Sequence, residues 1–587
     1  MGRRLAKTLP ILAILAILAA TTTDCYSTGD GSAPPLDQLY YPVGLRVSAG
    51  GTVLYAVNSD FDLQYNGGTL QSYDLGLIRR HTVKLIADPS ALEIPLVDES
   101  KRLDGADCRA GSATLTKLGE TCAPPVQSKF YVRDAAVIGA FATDLLLSAP
   151  PASLQAVDPA EGLGNRGFDR LFSAVRGNAS VTWADVERDT PTSIAPTDPK
   201  APYGPFLLQC GQDSARRCDG NHQAGSNPNE RGNTRNITMP GEPFGMALSQ
   251  NGRALIVTHQ NETKTSLFDT GLTRADSAGA PQPPPSLQFI LEEVPFGGIA
   301  VASIPHDRDA FTGTSVAFPR PAFLETSRAL PQISLLRQYP DELNSNGTNP
   351  RLASNQLRPF LDREGSFSAS VGPGGADSRG IVIDPTPRLA CKAKVRKNPV
   401  DPLKGRTQAQ VDAEILACAR KPARVFVANR SPASLLVGEL GGTSTAESSY
   451  DPDRLQLYKS IPLSTGPSRV YLAPVVEADG ALALRVFAVC FDSATIFVYN
   501  PDTDQLENVI RTGLGPFAMA FDPFSFEDAA EHKVVDSFNG IRRYRFGYLA
   551  SFTNSFIQVI DLDNTERSGT FERVVFTLGQ PTNPKGS

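Results

Sequence analysis

The stretch EPFGMALSQNGRALIVTH (Glu242–His259) enters through a Pro-Phe-Gly turn, alternates apolar residues to Leu248, turns at Gln250-Asn251-Gly252 and returns through Ala254-Leu255-Ile256-Val257 to a polar end. Period-two alternation on both sides of an Asn-Gly turn specifies a β-hairpin. The fold depends on whether this hairpin stands alone, and it does not. The same entry recurs as YPVGLRVS (Tyr41–Ser48), VPFGGIAV (Val294–Val301), DSRGIVID (Asp377–Asp384), GPSRVYLA (Gly466–Ala473) and GPFAMAFD (Gly515–Asp522). With anchors at Gly44, Gly245, Gly297, Gly380, Arg469 and Ala518, the shortest intervals are 49 and 52 residues, the length of one four-stranded propeller blade. The 201 residues between Gly44 and Gly245 need one more unit. AAVIGAFATDLLLS (Ala135–Ser148) followed by RLFSAVRGNASVTWADV (Arg170–Val186) supplies it in degenerate form, which makes seven.

Second strands follow the entries and end alike: LYAVNS (Leu54–Ser59), LIVTHQ (Leu255–Gln260), VFVANRS (Val425–Ser431), VFAVCFDS (Val486–Ser493) and YLASFTNS (Tyr548–Ser555). Third strands are expected at Thr69–Leu75, Ser434–Leu440, Thr495–Leu506 and Phe556–Asp563, and a closing fourth strand at Arg573–Gly579. The reading is all-β: a seven-bladed β-propeller of four-stranded antiparallel blades, with loop insertions and one short helical insertion. The ends VFVANRS and LYAVNS resemble the repeat core of YVTN-type propellers, a family that includes bacterial surface and periplasmic proteins and lactonase-like enzymes. The resemblance covers the chain from about Leu36 onward and lies in strand pattern more than in fixed residues. A single tryptophan, Trp183, speaks against tryptophan-aspartate repeats and quinoprotein dehydrogenases, whose blades use that residue repeatedly.

The 587 residues carry 49 Gly and 47 Pro, in keeping with many turns, and 56 Lys+Arg against 62 Asp+Glu, with no basic stripe to suit nucleic acid. The N-terminus, MGRRLAKTLPILAILAILAATTTDC, places Arg3, Arg4 and Lys7 before an apolar run from Leu9 to Ala20. This is a signal-peptide layout, too short to span a membrane comfortably. The following Cys25 resembles the lipobox of bacterial lipoproteins, in which the cysteine is acylated and becomes the mature N-terminus; Asp24 departs from the small residue usual before it. Residues 1–24 are therefore expected to be a signal peptide, 25–35 a linker and 36–587 one propeller domain, with insertions near 204–239, 341–375 and 388–422. The implied localisation is export to the periplasm or cell surface, anchored at the outer membrane.

Cysteine parity agrees with export. Three sequence-local pairs in polar segments, Cys108–Cys122, Cys210–Cys218 and Cys391–Cys418, are expected to be disulfides, and Cys490 in an apolar strand a buried thiol. No CxxC spacing or histidine cluster points to a metal, and no cofactor motif is present. Within the last insertion, RTQAQVDAEILACARK (Arg406–Lys421) predicts a helix with Thr407 as N-cap and Gln410 at the capping-box position.

In a meander blade the turn into the first strand and the turn between the second and third strands share one face of the ring. The expected channel mouth is thus ringed by Asn58, Asp60, His259, Asn429, Arg430, Asp492 and Asn554 from strand ends, and by Arg379 and Arg469 from strand starts. These are the ligand-binding candidates, with His259 and Asp492 the candidates for acid–base work. Asn, Asp and Ser also serve tight turns, and no GxSxG, HExxH, phosphate-loop or haem motif accompanies them. The sequence therefore favours a non-catalytic envelope module binding a protein, glycan or small ligand at the mouth or the disulfide-clipped loops. The family resemblance allows a lactonase-like hydrolase as the alternative.

Overall fold

The seven predicted units are seven four-stranded antiparallel sheets in a computed structural model of the chain. It describes residues 31–87, 125–148, 168–189, 206–272, 283–314, 318–339, 359–371, 375–400, 406–442, 450–535, 537–538, 541–566 and 569–579. Blade 1 is β1 (Pro42–Val47), β2 (Val53–Asn58), β3 (Thr69–Asp74) and β4 (Val132–Val137). Blade 2 is β5 (Ala142–Leu147), β6 (Phe168–Val175), β7 (Ser180–Glu187) and β8 (Gln223–Ala224). Blade 3, which contains the opening stretch, is β9 (Pro243–Leu248), β10 (Ala254–His259), β11 (Lys264–Asp269) and β12 (Ser286–Glu292). Blade 4 comprises β13 (Gly298–Ser303), β14 (Ala322–Ser327), β15 (Gln332–Tyr339) and β16 (Phe360–Ser368). Blade 5 comprises β17 (Ala376–Asp384), β18 (Ala423–Ser431), β19 (Ala433–Leu440) and β20 (Leu455–Pro462), and blade 6 β21 (Pro467–Val476), β22 (Leu482–Cys490), β23 (Thr495–Asn500) and β24 (Gln505–Arg511). In blade 7, β25 (Pro516–Phe521) pairs with β28 (Phe546–Ser551), followed by β29 (Phe556–Asp561) and β30 (Arg573–Leu578); a hairpin, β26 (Ser537–Phe538) and β27 (Ile541–Arg542), interrupts it.

The innermost strands β1, β5, β9, β13, β17, β21 and β25 pack in succession, and β25 returns to β1, so the ring is closed. The second strands are buried on both sides, as in β2 and β22, because a neighbouring blade covers each face. Among the outer strands, β20 alternates between covered and solvent-facing positions and β24 is mostly exposed. The apolar core is accordingly divided into seven wedges, one between each pair of adjacent blades. Leu45, Leu54, Tyr548 and Phe576 fill the wedge between blades 7 and 1; Phe172, Trp183, Leu255 and Phe268 fill that between blades 2 and 3.

Closure of the ring rests on polar contacts as well. The Val126 amide donates to the Thr577 carbonyl at 3.1 Å and its carbonyl accepts from Gly579 at 2.8 Å, tying blade 1 to the outer edge of blade 7. Helix α1 (Leu75–Ala87) carries Arg79, buried and paired with Asp522 of blade 7, with its Nε donating to the Tyr548 hydroxyl at 3.1 Å.

Four departures from the sequence reading have local causes. Ala135–Ser148 holds the start of blade 2 only from Ala142, where β5 begins; its first residues finish β4 of blade 1, and the two edges read as one apolar run. The segment 341–375, read as a loop, contains β16 in its described part. Leu75 does not end a strand: Asp74 finishes β3 and its carboxylate caps the next helix by accepting the Leu77 amide at 2.8 Å. Instead of one helix there are, among the described residues, four α-helices: α1, α2 (Thr386–Arg396), α3 (Gln408–Ala419) and α4 (Phe526–Ala530). The expected one, α3, has the Thr407–Gln410 capping box read from the sequence.

Cys210–Cys218 and Cys391–Cys418 are bonded and Cys490 is a buried thiol. Cys25 and the pair Cys108–Cys122 lie outside the described residues. The Cys210–Cys218 loop stitches two blades together: the Val137 amide donates to the Arg216 carbonyl at 2.8 Å, and the Cys218 amide to the Val137 carbonyl at 3.0 Å. The Cys391–Cys418 bridge joins α2 to α3, and Lys392 of α2, fully buried, reaches Asp307 at 2.7 Å and Asp309 at 3.0 Å on blade 4. Two disulfides suit an oxidising compartment. Among the described residues no helix is long and apolar enough to cross a membrane.

Candidate binding face at the channel mouth

Strand register puts the predicted residues at one end of the ring. Pro42 faces Asn58, Pro243 faces His259, Gly298 faces Ser327, Ser378 faces Asn429, Pro467 faces Cys490, Pro516 faces Ser551 and Ala142 faces Val175. All seven blades shift register immediately after this pair, so each innermost strand bulges at the mouth.

The strand-end residue of the pair has a repeated task. In blade 1 the Asn58 side-chain oxygen accepts the Tyr40 amide at 3.3 Å; in blade 3 His259 Nδ1 lies 2.8 Å from the Gly241 carbonyl; in blade 4 the Ser327 hydroxyl donates to the Phe296 carbonyl at 2.8 Å. Tyr40, Gly241 and Phe296 each stand two residues before their innermost strand. These side chains therefore staple the crossover arriving from the preceding blade. Asn58 also donates to Thr69 and Gln71, both at 2.9 Å, and His259 Nε2 accepts from the Ser266 hydroxyl at 2.8 Å. Those partners assign the neutral imidazole with its proton on Nδ1. Burial pushes His259 down to about 4, with the Gly241 carbonyl opposing and Lys264 adding to the effect.

The other candidates are also engaged. Asp60, buried and at a positive φ of 52°, accepts the Tyr65 amide at 3.1 Å and organises the turn after β2; burial pushes it up to about 7. Asn429 donates to the Pro432 carbonyl at 2.9 Å and accepts from Ser378 at 3.2 Å. Arg379 folds back on Asp377, its Nη2 2.9 Å from Oδ2. Arg430 and Asp492 form a half-exposed pair at 2.6 Å that bridges blades 5 and 6. Asn554 accepts the Leu514 amide. The structure thus brings Arg430 to Asp492 and leaves His259 with partners of its own blade and crossover.

Arg469 is different, because it crosses the channel. From β21 in blade 6 its guanidinium lies 3.4 Å from Asp144 and donates to the Thr143 carbonyl at 3.1 Å, both in blade 2 on the opposite side. The rings of Phe517 and Phe244 flank it, with centroids at 4.8 and 6.0 Å. The pair spans the channel just below the mouth.

An aromatic crescent on the blade 6–7–1–2 side was not anticipated. Phe552 sits 5.0 Å from Tyr41, 5.3 Å from Phe61, 6.0 Å from Phe491 and 6.1 Å from Phe517, and Phe61 lies 6.0 Å from Phe141. Such edge and tilted contacts stabilise one another beyond area burial. The signal was present: the residue after each strand end is Arg176, Gln260, Arg328 and Arg430 in blades 2–5, but Phe491 and Phe552 in blades 6 and 7. Polar turn residues do not mark it. The mouth is therefore two arcs, one polar and one aromatic. Among the described residues no three His, Cys, Asp or Glu side chains are grouped to hold a metal ion.

No protein-family model matches the sequence, and no curated protein does. Among solved structures, a putative 6-phosphogluconolactonase from Bacteroides uniformis is 13% identical over 84% of this chain and 95% of its own, with a TM-score of 0.39. The periplasmic gluconolactonase of Pseudomonas aeruginosa is 15% identical over 70% of this chain and 84% of its own, TM-score 0.35. Hydrazine synthase from Kuenenia stuttgartiensis is 10% identical over 91% and 99%, TM-score 0.38. At these identities and scores the likeness carries no activity over to this chain.

Proposed function

We propose that this chain is an exported cell-envelope propeller, tethered through an acylated Cys25, that acts as a non-catalytic binding or scaffold module and meets its partner with the mouth face. The observation that carries this reading is the commitment of the mouth's polar side chains to the framework. His259 has both ring nitrogens bonded and no exposure, so it has neither a free lone pair nor access to a substrate. Asp492 is neutralised by Arg430, and the channel below is spanned by Arg469 and Asp144. The Cys210–Cys218 loop is occupied in joining blades 1 and 2, which turns the reading away from that clipped loop and toward the mouth. What the mouth does present is aromatic and apolar surface, which suits contact more than chemistry.

Purified protein offered a panel of γ- and δ-lactones tests the point. No hydrolysis above background is expected. Turnover that disappears in Asp492→Asn while the fold is retained would overturn the reading in favour of a lactonase-like hydrolase.

A further inference from the structure

We infer that the partner of the mouth face is the surface of a lipid bilayer, on which the ring rests mouth-down. The inference deepens the proposed function and rests on its anchoring of Cys25. The first supporting observation is where the chain enters the ring. Ser32 bridges to Tyr65 and its carbonyl accepts the Asn66 amide at 3.0 Å, and both partners belong to the turn between β2 and β3 at the mouth end of blade 1. Cys25 precedes Ser32 by seven residues. Even fully extended, those residues reach only about 25 Å. Acyl chains on Cys25 therefore hold this end of the ring, and not the far end, close to the lipid.

The second observation is the distribution of exposed apolar tips. Phe61 (51% exposed), Phe296 (43%), Leu330 (42%) and Leu514 (58%) all stand on turns at the mouth end. They come from opposite arcs: Phe61 follows β2 in blade 1 and Leu514 leads into blade 7, whereas Phe296 and Leu330 belong to blade 4. A peptide or small ligand seated on one arc leaves the other in water. A plane touches both. Phe61 is backed by the aromatic crescent, and aromatic and aliphatic tips on a tethered face are the residues that enter the headgroup–acyl boundary. Three ion pairs at this end, Arg176–Glu242, Arg379–Asp377 and Arg430–Asp492, keep those charges matched within the protein, which lowers the cost of bringing them against lipid.

The test uses the full chain purified from its own membrane and returned to vesicles of phosphatidylethanolamine and phosphatidylglycerol containing brominated acyl chains. Phe61→Trp reports on the mouth and Val534→Trp, exposed beyond α4 in the connection leaving the far end of β25, reports on the opposite face; the Trp183 signal of the unsubstituted chain is subtracted. Mass spectrometry of the same preparation reads the acyl state of Cys25. The expected result is an acylated Cys25 with Phe61→Trp quenched and Val534→Trp unquenched. Acylation with Phe61→Trp unquenched, or with Val534→Trp the quenched site, overturns the orientation and leaves the anchoring intact; a protein partner shielding Phe61 from lipid gives the first of these. An unmodified Cys25 overturns the anchoring instead. The orientation then stands if the unacylated chain added to the same vesicles still shows quenching confined to Phe61→Trp, and falls if it does not.

Discussion

Glu325 is wholly enclosed between blades 3 and 4, where its Oε2 accepts the Thr265 hydroxyl at 2.7 Å and its Oε1 has no hydrogen-bond partner among the described residues. Burial pushes it up to about 8 from an ordinary 4.5; burial likewise raises Asp60 and Glu572 to about 7. A carboxyl that keeps its proton when folded binds more protons in the native than in the unfolded state. Its stabilisation is complete below the unfolded pKa and is lost as pH climbs to the folded one. His259 and His81, both lowered to about 4 chiefly by burial, act in the other sense, losing stability as pH falls from 6.5 toward 4. Above pH 6.5 only the carboxyls remain in play. Urea titrations should show stability falling between pH 6.5 and 8.5, with a shallower fall in Glu325→Gln; an unchanged slope in that variant would remove Glu325 from the account. Arg469→Ala should cost about 3 kcal/mol in the same titration at pH 7, because it strands Asp144 in the channel. The sequence places Arg469 at a strand start and His259 at a strand end and says nothing of their framework roles, while the strand that carries Glu325 (Ala322–Ser327) is not singled out in it. Arg469 reads as a mouth residue because its partner is 325 positions away, and only ring closure brings blade 2 opposite blade 6.

At the level of elements, the strands were legible wherever a blade obeys its repeat. Blades 3, 5, 6 and 7 follow the alternation, and their first two strands fall where the pattern puts them. Legibility failed where an element borrows its support from elsewhere: β8 is two residues long and α1 starts on the cap of a strand-ending Asp74. The helical insertion shows the same limit. Its capping box could be read locally, but Lys392 in α2, which locks the insertion onto blade 4, could not. Lys392→Ala should lower the thermal midpoint clearly more than Lys394→Ala on the same helix, since only the first leaves Asp307 and Asp309 without the buried ammonium; equal effects would argue that other contacts, such as Arg388 donating to the Pro305 carbonyl at 3.1 Å, hold the insertion on blade 4. Replacing Cys210 and Cys218 with alanine should cost about 2 kcal/mol, read as a urea midpoint shift, because the clip orders the segment that joins blades 1 and 2. No shift would mean that the backbone bonds at Val137 hold the stitch unaided.

Across the whole molecule, seven apolar wedges replace a single core, so each blade is stable only with both neighbours present. The count of seven was legible because the anchors repeat; the division of the mouth into polar and aromatic arcs was not, because it appears only when residues after seven separated strands are laid side by side. The same comparison makes the strand-end positions interchangeable parts. Asn58, His259, Ser327 and Asn429 occupy one register, and the first three bind the crossover two residues before their own blade's innermost strand. If the mouth is framework, the residue that serves blade 1 should serve blade 3. The direct measurement is thermal unfolding of His259→Ala beside His259→Asn. Alanine, which leaves the Gly241 carbonyl and Ser266 hydroxyl buried without this partner, should cost about 2 kcal/mol, and asparagine should recover most of the loss. Equal unfolding temperatures for the two variants, or undisturbed stability in both together with loss of a measurable activity, would contradict the framework role and return His259 to the list of catalytic candidates.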